Sequence, residues 1–254
     1  MVDSVTSLFD LTGKVAVVTG GSRGLGREMV LGFAACGADV AIASRNLENC
    51  EAVARDVRAL GRRALPVAYH AGSWNGAHDL TAAVLEEFGT IDILVNNAGM
   101  SLLYDSPVAV TEELYDKVMG VNLKGPFRLS AIVGTKMVER DGGSIIFVSS
   151  LASQRPGPKE LVYGPAKAAI NTLTVGLART FGPKVRVNCI VPGPFLTDMS
   201  KAWDLPSFTE RAKRTYSLGR GGEPGEVVGA ALYFASAAST YTTGALLNVD
   251  GGPR

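Results

Sequence analysis

A short apolar run that breaks into glycines constrains this chain more than any other stretch. Lys14 to Gly26 reads KVAVVTGGSRGLG. Val15 to Val18 predicts a buried strand, Thr19-Gly20 a tight turn, and the residues beyond it a helix. Glycines at 20, 24 and 26 let the backbone take positive φ and come close to a bulky anion, whose charge the free N–H groups of the following helix can receive. That is the construction of a phosphate cradle. It is not a Walker A loop, which ends in Gly-Lys-Ser/Thr where this chain has Gly24-Leu25-Gly26-Arg27. Nor is its spacing the GxGxxG of the common dinucleotide fingerprint. A glycine-rich turn without a ligand is the alternative reading, and the rest of the chain decides between them.

The remaining pattern alternates strands and helices. Glu28 to Cys36 keeps a helical rhythm, Asp39 to Ala43 is a second buried strand, Leu47 to Leu60 a charged amphipathic helix and Ala64 to Ala68 a third strand. Ile91 to Gly99 (IDILVNNAG) is a fourth strand running into small residues, which leave room for a ligand beside the backbone at a strand's carboxyl end. Thr111 to Met119 and Val121 to Met137 form a helical region interrupted by Gly120 and Gly125-Pro126, with Asn122 at a position unfavourable by propensity. Ser144 to Ser150, Lys184 to Val191 and Gly244 to Val249 complete the strands, with helices over Pro165 to Phe181 and Val227 to Ser236. From Asp198 to Leu218 the pattern dissolves into short helical pieces carrying Trp203, Phe208 and Tyr216, read as a substrate lid, whose basic run Arg211 to Arg214 is read as a solvated face.

With 254 residues, 46% of them hydrophobic, the chain can bury roughly three quarters of its unfolded surface in one core. No repeat or linker interrupts it, so residues 1–254 are expected to form a single domain. A net charge of +1 gives no ground for a nucleic-acid or anionic-membrane partner. No run approaches the ~20 apolar residues of a membrane span, and the start lacks a basic region followed by an apolar core. Cys36, Cys50 and Cys189 are an odd, widely spaced set that suggests neither a disulfide framework nor a metal site. A cytoplasmic protein with reduced thiols follows.

Tyr163-Gly-Pro-Ala-Lys167 is the second decisive constellation. Residues at this spacing share a helix face, so the Lys167 ammonium can lie near the Tyr163 phenol, and Pro165 is tolerated only near a helix start. To exchange protons readily at neutral pH, a phenol with a free pKa near 10 must drop by about three units. A nearby lysine charge pushes that way.

Thr19-Gly20-x-x-x-Gly24-x-Gly26, Asn96-Asn97-Ala98-Gly99, Tyr163-x-x-x-Lys167 and Pro192-Gly193-x-x-x-Thr197 together resemble the short-chain dehydrogenases/reductases, over Leu11 to Gly252. The resemblance implies an α/β fold, a Rossmann-like doubly wound sheet of about seven parallel strands with helices on both faces. It implies an oxidoreductase that moves a hydride between a nicotinamide and a carbonyl carbon, with Asn122, Ser150, Tyr163 and Lys167 as the catalytic set. Ser149 competes for the serine role, but its spacing is less favourable. Asn122 would hold a water that relays protons to Lys167, and Asn96 would brace the sheet.

The cofactor is expected against Gly20, Ser22, Arg23, Gly24, Leu25 and Gly26, then Ser44, Arg45 and Asn46, then His70 at the adenine. Asn97, Ala98 and Gly99, the pair Tyr163 and Lys167, and Pro192, Gly193, Phe195 and Thr197 complete its expected surroundings. The residue beyond the second strand faces the adenosine ribose, where a carboxylate selects a bare hydroxyl and a cation a 2′-phosphate. Ser44-Arg45-Asn46 carries no acid there, and Arg23 adds a second cation. At roughly 1.5–3 kcal/mol per charge-assisted hydrogen bond, the pair favours NADP(H) over NAD(H).

The substrate would be a small alcohol or carbonyl compound, held by Ser101 to Leu103, Leu151 to Ser153, Pro194-Phe195 and the lid. Within the family, a 3-oxoacyl carrier-protein reductase and a gluconate 5-dehydrogenase-like enzyme stand beside a general ketone reductase; outside catalysis, an NADP-binding regulator is the other class. His78 is read as plain surface. The apolar surplus on the helix of Ala166, Ile170, Leu173 and Leu177 points to a homo-oligomer, a dimer or tetramer.

Overall fold

The computed structural model describes residues 5–197, 200 and 204–254. Seven strands form one parallel sheet: β1 (Val15–Thr19), β2 (Asp39–Ser44), β3 (Ala64–Ala68), β4 (Ile93–Asn96), β5 (Gly143–Val148), β6 (Val185–Pro192) and β7 (Leu246–Val249), in the order β3-β2-β1-β4-β5-β6-β7. Helices connect them: α1 (Gly24–Ala35), α2 (Leu47–Ala59), α3 (Gly76–Phe88), α4 (Glu112–Met119), α5 (Gly125–Glu139), α6 (Tyr163–Phe181), α7 (Leu205–Thr215) and α8 (Val228–Ala235).

Because every pairing is parallel, β1, β4, β5 and β6 are covered on both faces and read as continuous apolar runs. Their side chains divide between two cores. Ala16, Val18, Ile93, Val95 and Ile146 meet α1, α2 and α8 through Met29, Phe33, Val53 and Phe234 on one face. Val15, Val17, Leu94, Ile145 and Phe147 meet α3, α5 and α6 through Leu80, Leu129, Val133 and Ile170 on the other. Each fully buried Phe or Leu contributes on the order of 2–3 kcal/mol of transfer free energy. The chain runs outward from β1 to β3, then crosses back to start β4 on the other side of β1. That reversal opens a crevice beyond the carboxyl ends of β1 and β4, where a sheet of this kind takes its ligand.

Two local structures depart from the sequence reading. The helical region expected to break at Gly120 instead continues through a π-helical segment, Gly120–Lys124, into α5. Pro126 removes the N–H that an uninterrupted α-helix would direct at the Asn122 carbonyl. Gly125 also packs so closely on the loop after β3 that an added methyl group would collide with the Ala71 carbonyl. After β6, the expected short helical pieces contain one regular helix among the described residues. In α7 the Asp204 carboxylate caps the Ser207 N–H, Pro206 occupies the first turn, and Phe208 and Ala212 bury one stripe. The segment around Trp203 lies outside the described residues. No helix among the described residues is long and apolar enough to cross a membrane.

Candidate active site

The glycine turn fits a phosphate in three respects. Gly20 has φ +66°, and a methyl group there would lie 2.8 Å from Asn97 Nδ2 and 3.0 Å from Ala98 Cα. Gly26 packs the helix onto the turn so tightly that its Cβ would meet the Gly20 carbonyl oxygen, so only glycine fits. The first turn of α1 has no side-chain cap, because Arg23 at the N-cap makes no such bond, and its N–H groups remain free for an anion.

β4 holds this turn in shape. Asn97 Nδ2 donates to the carbonyls of Thr19 (2.9 Å) and Gly20 (3.2 Å), while the N–H groups of Asn97 and Ala98 both donate to Thr19 Oγ1 (3.1 Å each). The Asn97 side chain is therefore a brace for the cradle. Asn96 braces the sheet from below, its Nδ2 donating to Ser130 Oγ at 2.9 Å. From the other side Thr197 lies over Gly24, its Cγ2 3.5 Å from where a Cβ would stand.

Next to the turn, Arg23 and Arg45 are exposed and carry no partner among the described residues. Ser44 ends β2, and Asn46 caps α2, its Oδ1 accepting the Asn49 N–H at 3.0 Å. The Asn46 acceptor is thus already spoken for. His70 is exposed beyond β3, its Nδ1 accepting the Gly72 N–H at 3.2 Å. His78, expected as plain surface, stands against Arg128 Nη2, and that guanidinium lies 4.5 Å over the Trp74 ring. Ser22 and Leu25 are half-buried in the turn and the first turn of α1.

The crevice floor brings together Asn122, Ser150, Tyr163 and Lys167. Tyr163 opens α6, and Lys167, one helical turn on, is 4% exposed, with Nζ 5.7 Å from the phenol ring centre. Lys167 Nζ donates to the Val148 carbonyl at 2.9 Å. A methyl group at Gly99 would sit 3.3 Å from Lys167 Nζ and 3.0 Å from Asn122 Oδ1, so this glycine is the narrow partition between the two. The Asn122 amide is saturated as a donor, to the carbonyls of Met100 and Val118 at 2.8 Å each, and its Oδ1 accepts the Met100 N–H at 3.2 Å. One Oδ1 lone pair remains for any further partner.

The two serines separate cleanly. Strand β5 stops at Val148, earlier than the sequence suggests, so both lie in the turn after it. Ser149 is buried, and its hydroxyl donates to the Lys167 carbonyl at 3.1 Å. Ser150 caps the following turn and hydrogen-bonds Tyr163.

Burial governs the titration of the pair. It pulls the Lys167 ammonium from its ordinary 10.5 down to about 8, with the facing Cys189 acting weakly the other way. It pushes the Tyr163 phenol up, against the hydrogen bond from Ser150 and with the Glu160 charge adding to the rise. The sequence-based expectation of a lowered phenol is thus reversed among the chain's own groups: the cost of a buried phenolate outweighs the local hydrogen bond.

On the substrate side, the Phe195 ring packs against Gly222 and joins the core, and the residue also lines a small cavity with Pro194, Leu218 and Arg220. Pro192 ends β6, and Gly193 follows, pressed onto the Asp250 backbone. Two contacts escaped the sequence reading altogether. The hydroxyl of the buried Tyr104 accepts the Leu161 N–H at 2.6 Å and so fixes the approach to Tyr163. Glu160 accepts the Gly157 N–H at 2.7 Å and places a carboxylate beside the same segment. No local pattern could have announced the Tyr104 contact, because it joins distant parts of the chain, whereas the Glu160 contact spans only three residues.

Comparison with known proteins agrees with this geometry. The family model described as short chain dehydrogenase matches residues 14–206. A 2-dehydro-3-deoxy-D-gluconate 5-dehydrogenase of Pseudoalteromonas atlantica is 39% identical over 250 residues, covering 96% of this chain and 97% of that protein. A 3-oxoacyl-[acyl-carrier-protein] reductase of Thermotoga maritima is 34% identical, covering 95% of this chain and 98% of its own length. Among solved structures, a 3-oxoacyl (acyl-carrier-protein) reductase of Agrobacterium tumefaciens with NADP bound superposes with a TM-score of 0.92 at 31% identity, over 98% of both chains.

Proposed function

This chain belongs to the short-chain dehydrogenase family and is an oxidoreductase acting on CH–OH donors; from that premise we propose that it interconverts a secondary alcohol and a ketone, with NADP(H) preferred over NAD(H). The observation that carries the reading is the convergence of Ser150, Tyr163 and Lys167 at the end of a crevice whose other end is the braced glycine turn.

The residues present fit the dinucleotide. Gly20, Gly24 and the free N–H groups of α1 suit its pyrophosphate, and Lys167 its nicotinamide ribose. Arg23 and Arg45, exposed and unpaired, suit a 2′-phosphate. Bound there, the cofactor supplies the hydride.

The chain's own groups move the proton. In the reducing direction Tyr163 is protonated, as its raised pKa requires, and donates to the substrate oxygen while Ser150 donates a second hydrogen bond to the same atom. Lys167, with its pKa near 8, is a stronger acid than the raised phenol and so suits the return of a proton to it. The remaining Oδ1 lone pair of Asn122 suits a water on the route from Lys167 to solvent. The buried Ser149 holds the Lys167 backbone and has no part in the chemistry.

α7 acts as the lid over the substrate. A homo-oligomer is supported by exposed Leu246 and Leu247 on the open edge strand β7, at 41% and 37% exposure. A sugar-acid substrate is the second reading, favoured by the identity to the gluconate-type relative. A screen of NADPH consumption across simple ketones, acyl thioesters and keto-sugar acids separates these: turnover of one class supports its reading. No turnover with any class, in protein that still binds NADPH, would favour a regulator instead.

A further inference from the structure

We propose that the segment Gly251–Arg254, together with Arg155, is a strap that fixes the lid helix against the loop bearing Ser150, making Arg155 a positioning residue for substrate. This rests on the reading of α7 as the lid.

Immediately after α7, the chain pairs with the segment that follows β7. Leu218 N–H donates to the Gly251 carbonyl (3.0 Å), Ser217 N–H to Gly252 (2.8 Å) and Arg254 N–H to Thr215 (2.9 Å), while Tyr216 faces Pro253 in an antiparallel bridge. This ribbon stands apart from the parallel sheet. Gly251 and Gly252, at φ +72° and +70°, swing the chain across to it, and the Asp250 carboxylate holds the Gly252 N–H at 2.9 Å.

On its far side the strap reaches the catalytic loop. Arg155 Nη1 donates to the Arg254 carbonyl at 3.2 Å, and Gln154 and Asn248 face each other at 3.4 Å. Arg155 lies just past the turn Leu151–Ser153 that Ser150 caps. Consistent with this proximity, the Glu160 charge acts on both Tyr163 and Tyr216.

Little of this ribbon is core. Ser217, Gly252 and Arg254 are exposed and Leu218 is 68% exposed, so hydrogen bonds rather than apolar burial hold it. α7 itself anchors only Phe208 and Ala212. Cutting the strap should therefore free the end of α7 without unfolding the protein.

The test uses trypsin, whose targets Arg211, Lys213 and Arg214 lie on α7. Deleting Pro253 and Arg254 is expected to speed cleavage within α7 about tenfold, and Arg155→Ala about threefold, as one to three hydrogen bonds are lost. Arg155→Lys should restore part of the protection. Cleavage elsewhere and the thermal midpoint should stay at wild-type values. With a carbonyl compound that the wild type turns over, KM should rise about fivefold while kcat and the NADPH Kd hold within about twofold. Unchanged cutting of α7, or equal acceleration at all sites, overturns the strap; faster α7 cutting with unchanged KM overturns its role in positioning substrate. Absence of any turnover in the wild type would count against the enzymatic reading instead, and the proteolysis would still decide the strap.

Discussion

Lys167→Met is expected to stabilise the protein at neutral pH while removing its activity. The ammonium is buried, and burial lowers its pKa from 10.5 to about 8. That drop of about 2.5 units, at about 1.36 kcal/mol per unit, amounts to about 3 kcal/mol against the folded state wherever both states hold the proton. Methionine fills a similar volume without charge, but it abandons the Val148 carbonyl, a buried acceptor whose loss costs about 1–2 kcal/mol. The variant should be more stable near pH 7 by about 1–2 kcal/mol, a midpoint rise of roughly 2–8 °C for a chain of this size.

The pH dependence fixes the sign. Below pH 8 both states of the wild type carry the proton and the full penalty applies. Between pH 8 and 10.5 the folded form releases it first, the unfolded chain binds more protons, and wild-type stability climbs relative to the variant. The advantage of Lys167→Met should close and then reverse across that window. Denaturant unfolding of both proteins at matched pH reads the difference, in which the opposing effect of the burial-raised thiols Cys36 and Cys50 cancels. A variant less stable than wild type at pH 7, by an amount that does not change up to pH 10.5, would refute the reasoning.

Gly26→Ala drives a Cβ into the Gly20 carbonyl and should cost about 1–3 kcal/mol in thermal unfolding, with NADPH affinity falling as the cradle shifts. A neutral effect on both would remove Gly26 from the account. Arg45→Asp should lower the NADPH-over-NADH preference by about ten- to a hundredfold in cofactor titrations, and an unchanged ratio counts against the assignment. Ser149→Ala should weaken the fold by about 1 kcal/mol and keep turnover, whereas Ser150→Ala should lose about 10²–10³ in kcat with little change in stability; the opposite pattern would exchange their roles.

Where burial on both faces forces a continuous apolar run, the sequence shows its strand openly: β1 keeps Val15 to Val18 and adds Thr19, and β2 keeps Asp39 to Ala43 and adds Ser44. Helix starts were less visible. α1 begins at Gly24 and α6 at Tyr163, because glycines and a tyrosine carry no start signal and the turn geometry alone begins the helix. The π-helical segment was hidden for a related reason. Gly120 and Pro126 read as breaks, but the chain keeps coiling because the Asn122 amide takes up the Val118 carbonyl.

Motif spacing could place Tyr163 and Lys167 on one helix, but it could not weigh burial against charge, and among the chain's own groups burial raises the phenol. The packing of the Phe195 ring was hidden because Gly222, against which it rests, is distant in sequence. Tyr104, Arg155 and the ribbon at Gly251–Arg254 act through contacts between remote segments, which no local pattern encodes.

The central claim is that Tyr163 delivers the proton that accompanies hydride transfer in this crevice. Transfer of deuterium from C4-deuterated NADPH to the carbinol carbon of a ketone product tests it most directly, in wild type and in Tyr163→Phe. Label in the wild-type product, and a loss of at least about a thousandfold in its rate of appearance for a variant that binds NADPH normally, is the predicted result. Equal label from both proteins would contradict the account.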